Sequence, residues 1–166
     1  MSHKNWAVRF ATLNLPSKIK MPGTVGSIIA CSYIVGIKYY WLILNYFQVT
    51  KISFNSYGIL VPLIATLIAF PIIHRALEFF NERDPGLICL DELVGMLVTL
   101  CLLPINFVTG LLGLVLFRYF DIVKPLGIKK IEQLPGVWGV LLDDVVAGIY
   151  ANLILRGIVF LITWPC

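Results

Sequence analysis

Leu90-Asp91-Glu92-Leu93-Val94-Gly95 sets two adjacent carboxylates at the opening of an apolar run that continues through Val98, Leu100, Leu102 and Leu103. A charge at the edge of a hydrocarbon layer is costly, so it faces a cavity, a metal or a partner in preference to lipid. The composition around it fits such a setting. Of 166 residues, 59% are hydrophobic and 13% charged, with mean hydropathy +0.90, whereas a soluble domain carries about 25% charged residues. The expected fold class is an all-α polytopic membrane protein: one domain over residues 1–166, with about five membrane-embedded helices after a polar segment at 1–21. No compact apolar stretch followed by a small-residue cleavage site opens the chain, so no cleaved signal peptide is read.

Working outward, the run from about Leu87 to Leu103 stops at Pro104, and a short link leads into Phe107–Phe120, which predicts a tight antiparallel helical hairpin. Seventeen and fourteen residues rise only about 25 and 21 Å, short for a full crossing. Upstream, Val25 to about Phe47 and Tyr57–Ile73 read as spans. Lys38 with Tyr39, Tyr40 and Trp41 marks an interface within the first, and Pro62 and Pro71 are kink positions in the second. Downstream, Asp121–Leu142 reads as a loop and Asp143 to about Thr163 as the last span.

Alternating these spans collects all nine acidic residues, and ten of the thirteen Lys and Arg, on one side. The excess of basic residues makes that face cytoplasmic, with the N-terminus inside and the C-terminus outside. Asp91 and Glu92 open the third span, Asp121 closes the fourth, and Asp143 and Asp144 open the fifth, so five carboxylates converge at one depth. Capping of helix N-termini accounts for single members of this set. Five together cannot ionise side by side without a compensating cation. Oxygen ligands suit Mg²⁺, held by carboxylates, waters and phosphate oxygens, so a Mg²⁺ phosphate site is the economical reading.

Phe117-Arg118-Tyr119-Phe120-Asp121-Ile122-Val123-Lys124-Pro125 spaces Arg118, Asp121 and Lys124 at i, i+3 and i+6, one face if the helix continues. Such cations can hold a ligating Asp and present charge to a phosphoryl group. Pro22-Gly23-Thr24-Val25-Gly26-Ser27 is a helix start whose N–H groups favour anions, with Thr24 and Ser27 as caps or phosphate contacts. His74 is a candidate for proton transfer or for an interfacial hydrogen bond, and Asp84-Pro85-Gly86 is a turn from which Asp84 can reach the site. Cys31, Cys89, Cys101 and Cys166 lack zinc or disulfide spacing and read as small apolar fillers.

Absences narrow the chemistry. No Cys is followed six positions later by Arg, no second histidine lies outside the N-terminal tail, and no Asp-x-Asp-x-Thr/Val motif is present. Metal-assisted attack of water, or of an aspartate, on phosphorus survives.

The four motifs Pro-Gly-Thr-x-Gly-Ser (22–27), Asp-Pro-Gly…Asp-Glu-Leu-Val-Gly (84–95), Phe-Arg-x-x-Asp-x-x-Lys-Pro (117–125) and Asp-Asp-Val-Val-Ala-Gly (143–148) resemble, in this order, the phosphatidylglycerophosphatase A family. The likeness runs from about residue 10 to 160. It implies a bacterial inner-membrane enzyme that uses Mg²⁺ to remove the terminal phosphate of phosphatidylglycerophosphate, giving phosphatidylglycerol. It carries over the motif positions Asp91, Glu92, Asp121, Lys124, Asp143 and Asp144, with Thr24, Ser27, Arg118 and Asp84 in support. In the assignment that follows, Asp91, Asp121 and Asp143 or Asp144 are metal ligands, Glu92 a ligand or the group that orients water, and Arg118 and Lys124 phosphoryl-binding cations. The alternatives are a small membrane transporter, disfavoured because the carboxylates sit at span ends, and another lipid-phosphate phosphatase or phosphotransferase.

Overall fold

The computed structural model describes residues 5–14, 22–46, 58–80, 87–104 and 106–163. Seven helices carry these residues, with no strand among them: α1 (Asn5–Ala11), α2 (Pro22–Tyr46), α3 (Leu60–Leu77), α4 (Leu90–Thr99), α5 (Phe107–Val123), α6 (Ile128–Glu132) and α7 (Val137–Thr163). Asp84 and most of the segment between α2 and α3 lie outside the described residues.

Short α4 is the centre. One side of it, Met96 and Leu100, packs with Phe117, Ala147, Ala151 and Leu155; the other, through Val94, packs with Ile73, Ala76 and Leu141. Its most extensive contact is with α7, followed by α2 and α3. Ten residues rise only about 15 Å, half of a hydrocarbon layer. Leu102 then adopts a left-handed φ of 55° and the chain turns back before Pro104. The carbonyls at this end are met from α7: Asn152 Nδ2 donates to Thr99 O at 2.8 Å and Cys101 O at 2.9 Å, and Arg156 Nη2 donates to Cys101 O at 2.9 Å. Carbonyls at a helix end have no intrahelical donor and need such partners when they are turned inward.

Among the described residues two helices, α3 and the stretch Val137–Ile162 of α7, are long and apolar enough to cross a membrane. Only 22% of either window is buried. A core helix of a soluble protein hides its apolar face, whereas Leu63, Ile64, Leu67 and Ile68 of α3 point outward.

The first long helix runs unbroken through Lys38 to Tyr46. Two local expectations are revised. The last helix begins at Val137, just past Pro135 and Gly136, so Asp143 and Asp144 sit in its second turn and do not open it. Finally, α5 ends at Val123, and Lys124 caps it at φ 48°, ψ 49°. Pro125 accounts for this last point, because a proline disfavours the right-handed helical region for the residue before it.

Candidate active site

Three helix ends meet at the N-terminal side of α4. Asp91 and Glu92 fill its first turn, Asp121 lies two residues from the end of α5, and Asp143 and Asp144 project from α7. With Lys124, Ile88 and Val140, these five carboxylates line one cavity of about 90 Å³. Four of the five are buried, and Asp121 keeps only 15% of its side chain exposed.

Glycines permit the approach. A Cβ at Gly148 would lie 2.5 Å from Gly95 O, and one at Gly95 would collide with the Phe117 ring and lie 3.0 Å from Asp144 O. Gly95 follows Asp91 by one helical turn and Gly148 follows Asp144 by one turn, so the close crossing of α4 and α7 sets the separation of the two carboxylates. The same Asp-x-x-x-Gly spacing in both motifs is the sequence signal for this contact.

Arg118 organises one wall. Its Nη1 lies 3.0 Å from Glu92 Oε1 and 2.6 Å from Asp121 Oδ2, and donates to Ser27 Oγ at 3.4 Å; its Nη2 donates to Thr24 Oγ1 at 3.2 Å. Ser27 Oγ in turn donates to Gly23 O at 2.9 Å. Thus Thr24 and Ser27 meet the guanidinium, and neither lines the cavity. The anion lying against the start of α2 is the protein's own Glu92: a Cβ at Gly23 would collide with its Oε1, and one at Gly26 would lie 2.5 Å from its Oε2.

Lys124 organises the opposite wall. Turned off the helix, its Nζ donates at 2.6 Å to Asp143 Oδ2 and at 2.6 Å to Glu132 Oε1. Burial pulls the ammonium pKa down, but the hydrogen bonds to the two carboxylates outweigh it and hold the value well above the ordinary 10.5. Arg118 and Asp121 keep the predicted i, i+3 pairing; Lys124 reaches the site by a different route. Glu132 has no counterpart among the sequence candidates, because its role depends on the turn that folds α6 back.

One oxygen each of Asp121, Asp143 and Asp144 lies within 4.8 Å of the others, close enough to share a cation. Five carboxylates facing two cations, with hard oxygen donors only, form a donor set that fits Mg²⁺. Asp91 and Glu92 line the same cavity as this triad, and Glu92 shares Arg118 with Asp121. His74 is exposed on α3 and does not line the cavity. Cys89 is buried beside the site, and burial, then Glu92 and Asp91, push its thiol up to about 12, so it stays protonated and is no nucleophile at neutral pH.

A family model described as phosphatidylglycerophosphatase A matches residues 8–159. A Bacteroides thetaiotaomicron protein provisionally named phosphatidylinositol-3-phosphatase is 34% identical over 139 residues, which cover 81% of this chain and 80% of that protein. The Escherichia coli phosphatidylglycerophosphatase A is 30% identical over 151 residues, 87% of this chain and 77% of its own. The Haemophilus influenzae protein of the same name is 38% identical over 78 residues, 46% and 48% of the two chains. No solved structure matches.

Proposed function

Because the chain belongs to the phosphatidylglycerophosphatase A family, we propose that it hydrolyses the terminal phosphomonoester of phosphatidylglycerophosphate to phosphatidylglycerol and phosphate. The observation that carries this reading is the convergence of five carboxylates and Lys124 on one cavity. The proposed cofactor is Mg²⁺, held by Asp121, Asp143 and Asp144. The chemistry it supplies when bound is neutralisation and polarisation of the phosphoryl oxygens.

The chain's own residues do the rest. Lys124 offers positive charge to the phosphate, and its pairing with buried Asp143 fixes where that charge sits. Arg118, spread over Glu92 and Asp121, holds two carboxylates from different helices at one spacing. Asp91, on the same cavity, adds a further ligand, and Glu92 is a ligand or the group that orients the attacking water and takes up its proton. Thr24 and Ser27 act through Arg118.

The proposed setting is the bacterial inner membrane, multi-pass, with α2, α3, α4, α5 and α7 embedded and the cavity at the cytoplasmic surface. Exposed Trp138, near the start of α7, and Trp6, stacked under Arg75 at 5.5 Å, sit at this end of the molecule, as interfacial aromatics do. A phosphate at the headgroup level meets the carboxylates while the acyl chains stay in the bilayer.

The test is phosphate release by detergent-purified protein, with Mg²⁺ and with chelator, from phosphatidylglycerophosphate and, in parallel, from phosphatidylinositol 3-phosphate. Mg²⁺-dependent release from the first is expected. Faster turnover of the second would transfer the substrate assignment to the inositol lipid, and no release from either would end the phosphatase reading.

A further inference from the structure

We infer that Glu132 is a displaceable counter-ion of Lys124: it holds the ammonium at the cavity until an oxygen of the substrate phosphate takes its place. The inference rests on the phosphatase reading of the site and adds a residue outside the metal-binding and water-orienting set.

The two acceptors of Lys124 Nζ are equally close, at 2.6 Å, but differ in surroundings. Asp143 lines the cavity and its side chain is 7% exposed, whereas Glu132 lies outside the lining and is 38% exposed. Breaking a pair with an exposed carboxylate returns that carboxylate to water at little cost, while stranding a buried one is expensive. An anion entering the cavity therefore exchanges with Glu132 and leaves Asp143 in place.

The backbone prepares this exchange. Left-handed conformations at Lys124, Leu126 and Gly127 (φ 48°, 55° and 91°) fold the chain back after α5, and fully buried Ile128 anchors α6. Gly139 then lets α7 press against the end of α6, since a Cβ there would lie 2.6 Å from Glu132 O. The main chain of Glu132 is thus clamped while its carboxylate reaches outward. Lys124 is the sole basic side chain lining the cavity among the described residues, so it is the side chain from which a phosphate dianion gains most among five carboxylates. A carboxylate already on Nζ competes for that place.

The experiment compares wild type, Glu132→Gln and Glu132→Asp in detergent with Mg²⁺. It measures inorganic phosphate binding by calorimetry, and KM and kcat on phosphatidylglycerophosphate. Glu132→Gln is expected to bind phosphate about two- to fivefold more tightly and to lower KM by a similar factor, with a smaller change in kcat. Glu132→Asp, which keeps the charge, should return both values toward wild type. Unchanged or weaker phosphate binding by Glu132→Gln, identical behaviour of the two variants, or no phosphate binding by any of them overturns the inference. A wild type that binds phosphate but releases none from the lipid removes the substrate reading, and the binding comparison still decides the role of Glu132.

Discussion

A Cβ added to Gly148 would lie 2.5 Å from the carbonyl oxygen of Gly95, so α4 and α7 touch backbone to backbone one turn below Asp91 and Asp144. Gly148→Ala must push the helices apart and with them the two sides of the cavity. Misplacement of reacting groups by even 1 Å can cost about 100-fold in rate. The variant is expected to lose roughly 10- to 100-fold in kcat while keeping its helical circular dichroism. Wild-type kcat would show that the crossing does not set the site.

Asp144 is 3% exposed and contributes to the carboxylate triad. Replacing it with Asn removes a proposed cation ligand with little change of volume. The expected result is a loss of about 100-fold or more in kcat, together with loss of the Mg²⁺-induced rise in Tm that the proposed site predicts for wild type. Equal Mg²⁺-induced shifts in Tm for the two proteins would take Asp144 out of the metal set.

Arg118 joins α2, α4 and α5 through Thr24, Ser27, Glu92 and Asp121. A lysine cannot reproduce that fork. Arg118→Lys should therefore lose activity by about tenfold while remaining folded. Arg118→Ala, by stranding buried carboxylates, should cost about 3–5 kcal/mol of stability. Thermal unfolding in detergent separates the two, and a fully active Arg118→Lys would reduce the guanidinium to a simple charge.

The ion pairs of Lys124 give a pH signature. Because the folded-state value is raised above the ordinary 10.5, the stabilisation is complete below that pH and is lost as the pH climbs through the higher folded value. Lys124→Met should lower Tm at neutral pH, and the gap to wild type should narrow once the pH exceeds 10.5. A gap that stays constant over this range would assign the difference to packing.

The sequence shows the polar constellation more readily than the path of the backbone through it. Asp91, Glu92 and Asp121 stand at helix ends where apolar runs begin and stop, and periodicity reveals that much. Asp143 is less legible, because carboxylates suggest a helix N-terminus while the apolar stretch Val137–Leu142 before them is equally good helix. The better marker is Pro135-Gly136, a turn directly before the first helical residue. For Lys124 the local signal is Pro125, which disfavours the helical continuation that an i, i+3, i+6 face requires. Glu132 and the Gly95–Gly148 contact depend on how distant segments fold together. No local window carries that information.

The end of α4 also fixes an order of assembly. Its carbonyls at Thr99 and Cys101 find their donors on Asn152 and Arg156, within the last helix of the chain. Until that helix has been made, the carbonyls of Thr99 and Cys101 in the 90–123 hairpin lack these donors. Asp143 and Asp144 come from the same helix, so the cavity is the last part of the protein to form, and chains cut short before residue 152 are expected to be degraded faster than the full chain. Pulse-chase labelling of such truncations measures this, and survival equal to the full chain would mean that the hairpin settles alone.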